Sequence, residues 1–197
     1  MKKLSKLHTF KKIRLLVLSL LISIAGCAGH DALSDRLVVG FDIDDTLLFS
    51  TPAFEKGFQS KERPFSQGFW EIVNFSDEGN SVIKKTAALI LEDHRSKGAD
   101  IYVITARHPP GSTVLKKFLK KNFGIEEDRV FFETEGKTMR LKSIGVDIFY
   151  GDSDSDITAA LEAGAIPYRI MRAPESSYRK KYNPGKYREN IIKDSEW

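Results

Sequence analysis

The stretch Leu37-Val38-Val39-Gly40-Phe41-Asp42-Ile43-Asp44-Asp45-Thr46 decides the fold. Its first five residues form a continuous apolar run. Such a run marks a strand buried on both faces of a parallel sheet, since a half-exposed strand would alternate. It leads straight into two carboxylates spaced by one residue, so charge leaves the core at the strand's carboxyl end. The arrangement recurs further along the chain. Residues 101–104 are apolar and end at Thr105-Ala106-Arg107, and residues 146–150, apolar but for Asp147, end at Gly151-Asp152. Shorter runs at 129–132 and 168–171 bring the expected strands to five.

Helical patterns fill the gaps. Residues 81–97 read as a helix, with Ser81 as N-cap, Val82, Ile83, Ala87, Ile90 and Leu91 on one face and Gly98 as the stop. Residues 112–123 read as a basic amphipathic helix ended by Gly124, its lysines a solvated face. Shorter helices are expected at 138–144 and 157–162. Strands alternating with helices imply an α/β fold, a parallel sheet with helices on both faces. Ligands bind beyond the carboxyl ends of such strands, which is where Asp42, Asp44, Thr105 and Asp152 fall. Residues 50–80 break the alternation. They hold two prolines, three glycines and the aromatics Phe54, Phe58, Phe65, Phe69, Trp70 and Phe75, which reads as a small insertion of short helices. The last 25 residues are polar and irregular.

Asp42 and Asp152 come from different strands and would lie close together. Like charges so near repel, and one group would hold its proton unless a cation lies between them. An all-oxygen site with few protein ligands suits Mg²⁺. A carboxylate beside that ion can attack phosphorus in line. The ion and a lysine would offset charge on the transferring group. A second carboxyl group, for which Asp44 is placed, must protonate the leaving alcohol and later activate water.

The Asp-x-Asp-x-Thr of 42–46, the strand-end Thr105, a later lysine and the Gly-Asp-x-x-x-Asp of 151–156 together resemble the haloacid dehalogenase (HAD) superfamily of phosphatases. Residues 41–52, residues 148–160, Gly68-Phe69-Trp70-Glu71 and Ser195-Glu196-Trp197 are similar to the class B acid phosphatases within it. The likeness spans residues 38–197. It implies a HAD-like Rossmannoid fold with a small helical cap after the first strand. It also implies hydrolysis of organic phosphomonoesters, nucleotides prominent among them, with phosphoryl transfer to other alcohols as a side activity. In the roles it implies, Asp42 is nucleophile and Mg²⁺ ligand. Asp44 is general acid and base, its backbone carbonyl a second ligand, and Asp152 is the third. Asp156 would orient a water on the ion. Thr105 and Ala106 would hold the phosphate, although the family usually has glycine where Ala106 stands, and Lys137 would neutralise it, with Lys142 as rival.

For Phe54 and Trp70, packing of the cap and stacking on a planar leaving group stand even. Asp154 reads as a turn or N-cap acid, His108 as a loop residue, and His94 as structural or solvated. The alternative in a different class is a catalytically weak, surface-binding lipoprotein on the same fold. A metal-free dehalogenase fits less well, because Asp44 and Asp152 favour phosphoryl chemistry.

The start of the chain is of another kind. Residues 1–26 carry six Lys and Arg and no acid, with an apolar run at 15–24 that is too short to span a bilayer. The run ends Ile24-Ala25-Gly26-Cys27, the pattern of a bacterial lipoprotein signal, and Cys27 is the one cysteine of the chain. The expected organisation is therefore a signal peptide over 1–26, a tether over 27–36 and a phosphatase domain over 37–197, with the cap at about 50–80. Cys27 would carry the lipid that holds the protein to the membrane of a bacterial cell envelope, at the periplasmic face or the outer membrane. The full chain has 31 basic and 27 acidic residues, +4, and without the six basic residues of the signal it has 25 against 27, −2. The basic balance thus belongs to the export signal and gives no reason to expect nucleic acid as a partner. The expected partners are a small phosphomonoester and the membrane, with a homo-oligomer left open. A single cysteine forms no internal disulfide, so packing alone must hold the domain outside the cytoplasm.

Overall fold

The computed structural model describes residues 36–197. The expected signal peptide, the lipidation residue Cys27 and nearly all of the tether lie outside the described residues. Six strands form one parallel sheet in the order β5-β4-β1-β6-β7-β8. They are β1 (Val38–Phe41), β4 (Asp100–Thr105), β5 (Val130–Phe132), β6 (Ile148–Gly151), β7 (Ile166–Ile170) and β8 (Asn190–Ile192). The order reverses direction at β1, the crevice where open α/β sheets bind ligands. Register brings Phe41 opposite Val103 of β4 and Tyr150 of β6, so the three strands end at nearly the same level. At Gly40 an added Cβ would lie 2.8 Å from the Phe149 ring, so the missing side chain lets that ring close over β1.

Alternation along β1 feeds both faces. Val39 and Phe41 pack with Ala87 and Leu91 of α3 (Lys85–Ser96) and Leu115 and Leu119 of α4 (Ser112–Phe123). On the other face Ile104 and Phe149 pack with Leu141 of α5 (Thr138–Ile144) and with Ala159 and Ala160 of α6 (Asp154–Ala163). Between β2 (Leu48–Phe49) and β3 (Val82–Ile83) stand the two cap helices, α1 (Thr51–Gln59) and α2 (Gln67–Asn80). Ala53, Phe69, Trp70 and Val73 give the cap its own apolar centre.

The helix expected over 81–97 is corrected at its start. Ser81 ends α2, its amide donating to the Asp77 carbonyl at 3.1 Å, and Val82 and Ile83 pair antiparallel with Phe49 and Leu48. Their partners are more than thirty residues away in sequence, so periodicity could not reveal the pairing. Helix α6 begins three residues earlier than expected, because Ser153 and Asp156 form a reciprocal capping box. β8 was hidden in the polar tail.

Candidate active site

The Asp42 amide donates to the Tyr150 carbonyl at 2.9 Å, carrying the sheet one residue past β1. The chain then turns back sharply. The amides of Thr46, Leu47 and Leu48 all reach the Ile43 carbonyl, at 3.2, 3.0 and 2.9 Å, and Asp45 lies in the left-handed region at φ 53°. Ile43 is buried completely, so the acids on either side of it stay at the strand edge.

Lys137, the residue just before α5, reaches into this edge. Its Nζ donates to Asp42 Oδ1 at 2.5 Å and to Asp156 Oδ1 at 2.6 Å. The rival Lys142 is exposed on the same helix. Asp156 is fixed from behind, its Oδ2 accepting from the Ser153 amide at 3.0 Å and the Ser153 hydroxyl at 2.6 Å. A Cβ at Gly151 would lie 2.4 Å from the Asp156 Cβ, so this close packing requires glycine. Asp42, Asp152 and Asp156, all buried, each bring one carboxylate oxygen within 4.8 Å of the others. Asp156, expected to act from outside the ligand set, is therefore beside it. Burial pushes the Asp42 carboxyl up to about 7 although Lys137 opposes it. Burial likewise raises Asp152 well above the carboxylate range against the pull of Arg172. A divalent cation relieves carboxylates crowded this closely, and the all-oxygen donor set suits Mg²⁺.

Asp44 faces another way. Arg107, fully buried, donates Nε to both Asp44 oxygens at 3.1 and 3.0 Å and Nη2 to Oδ1 at 2.6 Å. Burial would raise Asp44, but this guanidinium outweighs it and holds the carboxyl below its ordinary value. The opposite side of Arg107 is gripped by α2, with Nη1 on Asn74 Oδ1 at 3.0 Å and on Asp77 Oδ2 at 2.5 Å. Asn74 also donates to the carbonyls of His108 and Pro110, at 2.9 and 2.7 Å, and so fixes the loop after β4. Thr105 is buried, and its hydroxyl accepts from the Arg107 amide at 3.2 Å rather than lining the cavity. Ala106 does line it.

That cavity, about 400 Å³, opens over Asp42, Asp44, Lys137 and Asp152. The cap supplies Phe54, Phe58, Phe65 and Trp70 as one wall, and Arg172, Ser177 and Tyr178 stand in another. Trp70 does two things at once. It packs edge-on to Phe54 at 5.7 Å in the cap centre, and it lies flat on His108 at 5.8 Å. Phe58 and Phe65 are 49% and 57% exposed, a large apolar surface for so small a cap.

Sequence reading missed Arg172, Tyr178, Asn74 and Asp77, and missed what Arg107 does. Arg172 obeys the strand-end rule, standing two residues beyond β7. Asn74 and Asp77 sit three apart on the buried face of α2, a polar pair in an apolar stripe, and that was a usable signal. Asp154 is tied to Arg169 at 3.1 Å and to the Asn183 side chain at 2.6 Å. His94 pairs with the Tyr150 hydroxyl at 2.9 Å on the helix side of the sheet.

Fold and site together define a hydrolase of the HAD superfamily. The chain belongs to the family described as HAD superfamily, subfamily IIIB (acid phosphatase), whose model matches residues 19–181. It is 38% identical over 170 residues to a class B acid phosphatase of Marinomonas sp., covering 81% of this chain and 72% of that one. It is 36% identical over 174 residues to the class B acid phosphatase of Rahnella sp., covering 82% and 73%. Among solved structures it is similar to a HAD hydrolase of Entamoeba histolytica, with a TM-score of 0.55 at 17% identity over 80% of this chain and 93% of that one, a likeness of fold. The chain is an acid phosphatase, and its substrate is a small phosphate ester.

Proposed function

We propose that this acid phosphatase is Mg²⁺-dependent, works through a phosphoryl group carried on Asp42, and accepts nucleoside monophosphates. The observation that carries the reading is the meeting of Asp42, Asp152 and Asp156 with Lys137 beneath an aromatic-walled cavity. A carboxylate oxygen of Asp42 attacks phosphorus, the bond from phosphorus to the ester oxygen breaks, and Asp44 gives that oxygen its proton. Water then attacks the acyl phosphate, Asp44 takes the water's proton, and phosphate leaves. Another alcohol in place of water would receive the phosphoryl group, which would give a transferase side activity.

Lys137 lowers the negative charge that an arriving phosphate meets. Asp42 and Asp152, with the Asp44 carbonyl, would hold the Mg²⁺, and Asp156 would orient its surroundings. When bound, the ion offsets the crowded carboxylates and draws charge from the phosphoryl oxygens. Asp44 cannot serve as an acid while Arg107 grips both its oxygens. An incoming phosphate is a competing partner for that guanidinium, and exchanging Asp44 for phosphate frees the carboxylate to take up a proton from solvent and then pass it to the leaving oxygen.

Phe54 and Trp70, with Phe58 and Phe65 beside them, suit a planar leaving group. Stacking contributes about 1–3 kcal/mol per base in single-strand sites, so nucleoside monophosphates should exceed glycerol phosphate by roughly tenfold or more in kcat/KM. Cys27 would carry the lipid that places the enzyme in the bacterial cell envelope, at the periplasmic face or the outer membrane.

Turnover of p-nitrophenyl phosphate with and without chelator tests the reading. Activity should vanish with chelator and return with added Mg²⁺. Full activity in chelator would sink the metal-dependent scheme.

A further inference from the structure

We propose that Arg172 is a positioning residue that couples the cation site to the leaving-group wall of the cavity. The inference rests on the reading of Asp152 as a cation ligand. Arg172 is 5% exposed and works in two directions. Its Nε donates to Asp152 Oδ2, which leaves the other oxygen of that carboxylate to face an ion. Its Nη1 donates to the carbonyls of Tyr178 and Lys180, at 2.8 and 3.0 Å. The guanidinium also lies over the rings of Tyr182 and Tyr178, 4.7 and 5.1 Å from their centres, and the Arg172 amide donates to the Tyr182 hydroxyl at 3.0 Å.

The chain from 173 to 181 is thereby held as a strap across one side of the cavity. It carries Tyr178, 48% exposed, opposite the aromatic cap. Two further bonds fasten it to the site. The Ser176 hydroxyl donates to Asp45 Oδ2 at 2.5 Å, next to the proposed acid, and the Ser177 amide donates to Thr51 Oγ1 at 2.9 Å at the root of the cap.

A guanidinium is planar and rigid, so the direction of its Nε bond fixes the direction of its Nη1 bonds. When a cation draws Asp152 into place, the same plane sets where the carbonyls of Tyr178 and Lys180 rest, and with them the Tyr178 ring. Lysine offers one point charge. It can meet the Asp152 oxygen, but it cannot also hold the two carbonyls in a fixed plane. The two roles of Arg172 are therefore separable by substitution.

The experiment uses the full chain with Arg172→Gln and Arg172→Lys. Mg²⁺ binding is measured by titration calorimetry, and kcat and KM are measured for phenyl phosphate and glycerol phosphate. Arg172→Gln should weaken Mg²⁺ binding by roughly tenfold to a hundredfold, the usual effect of losing a partner that orients a metal ligand. It should also lower the ratio of kcat/KM for the aromatic over the aliphatic ester. Arg172→Lys should restore most of the Mg²⁺ affinity and leave the ratio low, chiefly through a raised KM for phenyl phosphate. Wild-type Mg²⁺ affinity and wild-type ratio in Arg172→Lys would overturn the coupling, as would an equal loss on both esters. If Arg172→Gln fails to fold, Arg172→Lys alone decides by the same criteria. Absence of any Mg²⁺ binding by the wild-type protein would instead overturn the cation reading, and the coupling with it.

Discussion

Replacing Arg107 by methionine removes the side chain that ties the cap helix α2 to the acid at position 44. Arg107 and Asp77 are both without exposure, and the shortest of their bonds is 2.5 Å. Without the guanidinium, Asp77 keeps a single side-chain donor among the described residues, the Ser81 hydroxyl at 2.6 Å. Breaking one side of a buried ion pair costs about 3–5 kcal/mol, because a charge is left without compensation. Asp44 adds little, since its side chain is 30% exposed and water can replace the lost bonds. Methionine fills much of the aliphatic volume, so the cavity contribution is small. For a domain of this size about 2–4 °C accompanies each kcal/mol, so Tm should fall by about 6–20 °C. Urea unfolding of both proteins gives the difference directly from the midpoints. Adding Asp77→Leu to Arg107→Met should recover at least half the loss, because apolar replacement of a whole buried pair is close to neutral. A loss under about 1 kcal/mol in Arg107→Met, or a double variant less stable than the single one, would refute this account of the buried pair.

Burial pushes the Lys84 ammonium from 10.5 down to about 8, although its Nζ donates to the Asp45 and Met171 carbonyls. The folded chain thus binds this proton less tightly than the unfolded chain, and the stability from Lys84 rises with pH from about 8 to 10.5. The gap between wild type and Lys84→Met should widen in favour of wild type by roughly 3 kcal/mol across that window, and parallel pH curves would contradict it. Trp70→Ala should erase most of the preference for nucleoside monophosphates while glycerol phosphate turnover stays nearly level. An equal fall on every substrate would make Trp70 a packing residue only. Cys27→Ser should move the protein from the membrane fraction to the soluble one, or block its processing, since each buried CH₂ of an acyl chain contributes about 0.8 kcal/mol. Unchanged fractionation, with no lipid mass on the native N-terminus, would point to another kind of attachment.

Local signals carried most of the fold. Helices α4 and α5 begin and end at the expected residues because glycine at 124 and 145 stops each one. The runs ending at Asp42, Thr105 and Asp152 are strands because they are apolar on both faces. Reading failed where partners are distant. Val82 and Ile83 look helical until Leu48 and Phe49 are placed beside them, and the three residues of β8 become a strand only by pairing with β7. In the site, Asp42, Asp152, Asp156 and Lys137 were legible as strand-end and motif residues, and the chain brings them together. The clamp on Asp44 was not legible, because it joins Arg107 to residues thirty and thirty-three positions earlier on a different element. Arg172 was passed over because a lone arginine just past the last expected strand looks solvated, and only the fold turns it onto Asp152.

The central claim is that phosphoryl resides on Asp42 during turnover. It is tested most directly by acid quenching of the Asp44→Asn variant during reaction with p-nitrophenyl phosphate, followed by peptide mass analysis. The leaving group needs no proton, so the first step proceeds, while loss of the base slows hydrolysis of the adduct. The account predicts one phosphoryl group on the peptide carrying Asp42, and none when Asp42→Asn is added. A phosphoryl group on any other residue, or steady turnover by Asp42→Asn alone, would contradict it.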